Sequence, residues 1–312
     1  MLARIAQELF WLGRNLARAE STARLLDGVF QAEVQGRPED PSATRLGWDS
    51  LMHIMGGSRN GDVPAHRDAV LDALTRDPDN PASVVSCVAR AREGAQAVRD
   101  VISAEMWEAI NTTHLRLRDG DLATPFATGH YSIYKHVKER SALFWGLTGR
   151  TMLRDEASAF LAAGGRIESA DMVLRMLRVA LPAGDAGESA DGQAIALLQA
   201  VGGFQAYRRA VPAPAHARPV ARFLLFERNY PDSVAAAVES LNRALQTADG
   251  SPRSSEPILR LSRLSADLEF RRSAESDADL CVTCQEVQRE LGLVDADIAQ
   301  RYFGGARAPS PE

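Results

Sequence analysis

Four charged residues close together near the start of the chain, Arg14, Arg18, Glu20 and Arg24, have the types and spacing of an anion site. Arg14 and Arg18 are four apart, as are Glu20 and Arg24, so on a helix each pair shares a face. Guanidinium forks grip carboxylates and phosphates through paired hydrogen bonds. A second acid-x3-Arg pair, Asp171 and Arg175, stands 151 residues further on. The expectation is one shared polar cavity, with Arg14, Arg18, Glu20 and Arg24 on one side and Asp171 and Arg175 on the other. Trp11, three residues before Arg14, would wall it or stack on a guanidinium. Arg150 and Arg154 flank an expected helix start at Asp155, where unpaired backbone N–H groups favour anions. They are expected to contact a phosphate or a carboxylate.

Other chemistry finds little support. Cys281 and Cys284 form a C-x-x-C, but zinc takes four ligands and no second pair or nearby histidine supplies the rest. No βαβ pattern accompanies it, as a redox motif would require. A di-metal bundle needs Glu-x-x-His pairs. None of His53, His66, His114, His130, His136 and His216 has a glutamate three residues before it. P-loop, G-x-G-x-x-G, G-x-S-x-G and H-E-x-x-H patterns do not occur. Neither metal nor cofactor is expected, and no self-sufficient catalytic constellation is visible.

The chain that positions these residues has 312 residues, 45% hydrophobic and 25% charged, enough for a sizeable core. Aromatics make up only 6%, while Ala, Leu, Arg and Glu are plentiful, a helix-forming composition. A net charge of −5 argues against a nonspecific nucleic-acid binder. Lys135 and Lys138 are the only lysines among 36 basic residues, which reads as codon bias rather than function. The three cysteines, Cys87, Cys281 and Cys284, point to a reducing compartment, and Cys281 and Cys284, one helical turn apart, are expected to be small buried residues. Charges at Arg4, Glu8, Arg14 and Arg18 interrupt the N-terminal apolar run, and no stretch approaches a membrane span. The default location is the cytoplasm.

Apolar periodicity predicts helices almost throughout. Ile5, Leu9, Leu12, Leu16, Ala19, Ala23, Leu26 and Phe30 form one stripe on the first. Further helices are expected at 42–55, 65–74, 81–117 and 130–147, with Asn80 capping the third of these and Pro81 in its first turn. Asp155 can cap the next, which reaches Leu181. Others follow at 193–210, 218–228, 232–248, 255–274 and 277–303. Gly36–Pro41, Arg118–Pro125 and Pro182–Gly192 read as loops, the last a mobile linker. No convincing strand appears. The fold class is all-α, a bundle of about ten helices. One domain spans 1–305, with halves of about 1–150 and 151–305, and 306–312 is a disordered tail.

The halves come from a self-match at an offset of 151 residues. Trp11–Leu26 aligns without gaps to Ala162–Leu177: Gly13 meets Gly164, Leu16 meets Ile167, Glu20 meets Asp171 and Arg24 meets Arg175. Two matched helices imply a pseudo-twofold axis, with small residues permitting close approach between them.

These segments resemble the alpha-E domain family. ELFWLGRNLARAESTARLLD is similar to its opening. DNPASVVSCVARAREGAQAVRDVISAEMWEAIN, TMLRDEASAFLAAGGRIESADMVLRML and FLLFERNYPDSVAAAVESLN are similar to its later blocks, in family order across nearly the whole chain. In the third block the family pattern G-R-x-I-E-R-A-D meets Gly165 and Ser169 at its arginines. In the fourth, Asp232 stands where P-R-S has arginine. If those cations hold an anionic ligand, this chain binds it less well or through its first half alone. The resemblance implies a setting beside, or fused to, a circularly permuted ATP-grasp ligase, which joins carboxylates to amines. Transglutaminase-like peptidases and a proteasome-like hydrolase often accompany it. The leading expectation is a non-catalytic helical partner of such a ligase that binds or presents a carboxylate or small peptide. A stand-alone enzyme using an Arg/Glu cavity, or a plain helical scaffold, are the alternatives.

Overall fold

The computed structural model describes residues 1–35, 47–56, 67–119, 130–180, 188–273 and 280–304. Over these residues the chain forms thirteen α-helices, one short 3-10 turn and no strand. The first half contains α1 (Ala3–Gln35), α2 (Trp48–Ile54), α3 (Arg67–Thr75), α4 (Val84–Ala97), α5 (Ala104–Asp119) and α6 (His130–Thr151). The second contains α7 (Glu156–Ala180), α8 (Glu188–Ala200), α9 (Phe204–Ala210), α10 (Ala217–Phe226), α11 (Val234–Ala248), α12 (Glu256–Ser273) and α13 (Leu280–Tyr302). None of the described helices is long and apolar enough to cross a membrane.

Helices α1, α4, α5 and α6 close into a ring of four, each packed on the next. Helices α7, α11, α12 and α13 do the same. The two bundles share one seam, the crossing of α1 on α7. Leu9, Leu12, Ala19, Ala23 and Leu26 of the first stripe are buried in the core, as are Phe160, Ala163, Ile167, Ala170, Leu174 and Leu177 of its repeat. Loss of this apolar surface from water is the main force holding the two bundles closed.

Two glycines set the closeness of the crossing. A Cβ on Gly13 would lie 2.1 Å from the Leu161 carbonyl oxygen, and one on Gly164 would lie 1.9 Å from that of Phe10. The two contacts are related by the same 151-residue offset, so the pseudo-twofold axis passes through the crossing. The symmetry extends beyond the central helices. Ser83 caps α4 and Ser233 caps α11, each accepting from the amide three residues on at 3.1 Å. Each hydroxyl also donates 2.6 Å to a carbonyl six residues back, Asp77 in one half and Glu227 in the other. The short helices are exchanged across the axis: α2 packs on α7, and α8 packs on α1.

Several expected boundaries move, each for a local reason. The single helix expected over 81–117 is two, α4 and α5. Ser103 accepts from the Met106 amide at 3.2 Å and starts a new helix after the turn at 98–103. Asn80 is not the cap of α4. Its side chain accepts from Ala82 and donates to the Ala73 carbonyl, fixing the turn, while Ser83 does the capping. The helix expected over 193–210 breaks at Gly202, whose φ of +70° is the left-handed cap of α8. Gly203 and Gly202 donate to Leu198 and Gln199, closing that end. Asp155 does cap α7, accepting from Ala157 at 3.0 Å. The loop expected over 182–192 is overturned in its second part, where α8 already starts at Glu188, and the loop expected over 118–125 begins inside the last turn of α5. The remainder of both, the expected loop at 36–41 and the tail after residue 304 lie outside the described residues.

Candidate functional site

Near the α1/α7 crossing, on opposite sides of the pseudo-twofold axis, equivalent positions carry different residues. On one side, Arg14 and Arg18 of α1 both donate to Glu168 of α7. Arg14 Nε reaches Oε2 at 2.9 Å, and Arg18 reaches both carboxylate oxygens, at 2.5 and 3.0 Å. Arg14 Nη1 also donates to Asp295 of α13 at 2.9 Å, and its guanidinium lies 4.8 Å from the Trp11 ring centroid. Glu168 is 2% exposed, and the two arginines 12% and 15%. Burial pushes the Glu168 carboxyl upward, but Arg18 and Arg14 outweigh it and hold the group at about 2. The charges in this cluster are committed to one another.

On the other side, the 151-residue offset places Ala17 in the role of Glu168, Gly165 in that of Arg14 and Ser169 in that of Arg18. Three charged side chains are replaced by two small ones and a bare backbone. The space they leave is a cavity of about 420 Å³. Ala17, Gly165 and Ser169 all line it. Ser169 turns its hydroxyl back to the Gly165 carbonyl at 3.0 Å, as helical serines do. Trp145 of α6 leans over Gly165, its ring edge 2.7 Å from where a Cβ would stand. Met172, Val173 and Met176 supply further apolar wall.

The polar groups of the cavity form two sets. Glu20 accepts from Arg24 at 2.7 and 2.9 Å and from the Ser141 hydroxyl at 2.5 Å. Arg166 donates to the Pro231 carbonyl at 3.3 Å and stands 3.7 Å from Asp232. Asp232 makes no hydrogen bond among the described residues. Its side chain reaches solvent at the rim, yet the surrounding protein raises its carboxyl above the ordinary aspartate range, Glu20 adding to this and Arg166 and Arg24 opposing it.

The residues expected to share one cavity are therefore divided among three places. Glu20 and Arg24 line the cavity. Arg14 and Arg18 are buried in the ion cluster, with Trp11 stacked on Arg14 as one expectation had it. Asp171 and Arg175 pair with each other at 2.7 Å, and Asp171 accepts from Gln288 of α13 at 2.7 Å; neither lines the cavity. The reason is the symmetry itself. A twofold axis sends matched pairs to equivalent but opposite locations, not to a common one. Arg150 and Arg154 are exposed, and no described residue pairs with either. Sequence reasoning missed Glu168, Trp145, Arg166 and Asp232. Glu168 could have been found, because it falls opposite Ala17 in the self-match, an acid next to the apolar stripe at Ile167.

A family model described as "a predicted alpha-helical domain with a conserved ER motif" matches residues 1–303. Among known proteins the chain is similar to the uncharacterized protein Rv2567 of Mycobacterium tuberculosis, at 28% identity over 274 residues. The uncharacterized protein Mb2597 of Mycobacterium bovis is similar to the same degree. In both cases the alignment covers 81% of this chain and 31% of the relative, so the chain spans about a third of the relatives' length. No solved structure matches.

Proposed function

The chain belongs to the Alpha-E family, and on that premise we propose that it is the non-catalytic helical partner of an ATP-grasp-type ligase. It holds a carboxylate-bearing component, or a small peptide, for amide formation. The observation that carries this reading is the cavity beside the α1/α7 seam, whose size and lining suit a small ligand. Its volume falls within the range of about 300–1,000 Å³ usual for such sites, and its walls are mostly apolar with a few convergent charges. Among the described residues, no histidine or cysteine lines it. Its Ser169 hydroxyl is turned to a backbone carbonyl, not to a base. Such a lining can bind but offers no activated nucleophile. Chemistry must then come from elsewhere, and the family resemblance supplies the candidate, a circularly permuted ATP-grasp enzyme. That the curated relatives are about three times the aligned length is in keeping with a domain that works beside others.

Affinity purification from a host carrying the ligase, followed by mass spectrometry, tests the pairing. The ligase is expected to copurify, and its ATP consumption is expected to rise when this chain is added. A ligase that neither copurifies nor responds would remove the partner reading and leave a helical scaffold. Turnover of a carboxylate substrate by this chain alone would instead favour the stand-alone enzyme.

A further inference from the structure

Taking the cavity as the binding site of the proposed function, we infer that it accepts a free α-amino acid with a large apolar side chain, bound as its zwitterion. The juxtaposition that says so is Asp232 beside Arg166 at the rim of an apolar chamber. An α-amino acid carries its ammonium and carboxylate on one carbon, so it meets an acid and a guanidinium that stand side by side. Here they stand 3.7 Å apart, beyond a direct hydrogen bond, and Asp232 has no hydrogen-bond partner among the described residues. Among the described residues Arg166 makes one hydrogen bond, through Nη1 to the Pro231 carbonyl, which leaves Nε and Nη2 to face a carboxylate. An ammonium on Asp232 and a carboxylate on Arg166 satisfy both groups at once. Glu20 and Arg24 are near enough to act on Asp232 and add one charge of each sign. The four charges balance, so the chamber does not select a simple anion or a simple cation.

The apolar end follows from the broken symmetry. In the twin location the inward space is filled by Arg14, Arg18 and Glu168. Here Gly165, Ser169 and Ala17 vacate it, and Trp145, Met172, Val173 and Met176 wall it. A hydrated charge gains nothing in such a space, whereas an apolar side chain leaves water and contacts a ring and two thioethers. Burial raises the Asp232 carboxyl although Arg166 and Arg24 oppose it, and an ammonium beside the carboxylate would offset that cost.

Isothermal titration calorimetry on this chain alone tests the assignment, with L-methionine, L-leucine and L-phenylalanine as probes. At least one is expected to bind. N-acetyl-L-phenylalanine, which lacks the ammonium, and L-phenylalaninamide, which lacks the carboxylate, are expected to bind roughly tenfold more weakly or worse than the free amino acid, as loss of a charge-assisted contact implies. Asp232→Asn is expected to weaken the free amino acid and leave the N-acetyl form unchanged. The double variant Ala17→Glu/Ser169→Arg, which restores on this side the pair present on the other, is expected to fill the chamber and abolish binding. No heat with any of the three amino acids at millimolar concentration would overturn the inference. So would N-acetyl-L-phenylalanine binding as tightly as L-phenylalanine, or Asp232→Asn binding as well as the parent. Because no ligase is present, the result stands apart from the partner reading, which the copurification and ATP assays decide.

Discussion

Replacing Glu168 by glutamine should strip the central seam of the charge that holds two buried arginines. Glu168 is the only described hydrogen-bond partner of the Arg18 side chain, and it shares Arg14 with Asp295. Its carboxyl sits at about 2 against an ordinary 4.5. At 1.36 kcal/mol per pH unit that difference is worth roughly 3 kcal/mol of folding stability, to order of magnitude. Glutamine keeps the shape and an acceptor oxygen but leaves the Arg18 cation uncompensated, and breaking a buried pair in this way costs about 3–5 kcal/mol. Urea unfolding followed by circular dichroism measures it. The sign of the pH dependence provides a second reading. The folded carboxyl releases its proton more readily than the unfolded one. The stabilisation is therefore complete above about pH 4.5 and is lost as the pH falls towards 2. The parent should lose this increment between neutral and strongly acid pH, and Glu168→Gln should not. A triple variant with Arg14→Met, Arg18→Leu and Glu168→Leu should recover much of the lost stability, because apolar side chains of similar volume need no partner. If Glu168→Gln lowers the unfolding free energy by less than about 1 kcal/mol, the range of an exposed pair, the cluster does not brace the seam.

Three further outcomes follow from the geometry. Gly164→Ala puts a methyl group 1.9 Å from the Phe10 carbonyl oxygen, a backbone atom that cannot yield without parting α1 from α7. Its melting temperature should fall by the equivalent of about 1–3 kcal/mol or more, whereas alanine at Gly149, where nothing lies within 4 Å, should not lower it. Ser83→Ala and Ser233→Ala remove symmetric caps with matching hydrogen bonds, so each should lower the unfolding free energy by about 0.5–2 kcal/mol and by similar amounts. A large inequality between them would show that the halves are not energetically equivalent. Arg150→Ala and Arg154→Ala remove exposed charges near the start of α7 and should leave the melting temperature unchanged. If these arginines contact an anionic group of the partner complex, the same variants should reduce ligase stimulation, and unchanged stimulation would exclude them from the contact.

The sequence alone determined the all-α class and most helix positions, because these depend on local propensity and on the period of apolar residues along the chain. The glycine match between Gly13 and Gly164 and the acid-x3-Arg match between Glu20–Arg24 and Asp171–Arg175 were both legible at an offset of 151 residues. Breaks inside apolar runs were less legible. The turn at 98–103 keeps Val98 and Ile102 buried, so its pattern differs little from continuous helix. The site was only half legible. Periodicity placed Arg14, Arg18, Glu20 and Arg24 on one helix but not on one face of the assembled molecule, because a helix surface turns by a full circle in under four residues. Which charges meet was decided by the crossing of α1 on α7, where Glu168 arrives between Arg14 and Arg18 from 150 or more residues away. The cavity was likewise a product of tertiary structure. It exists where small residues from both central helices coincide under Trp145 and Asp232, which come from α6 and from the turn before α11. Each of those residues is unremarkable in the chain, and only packing sets their absences side by side.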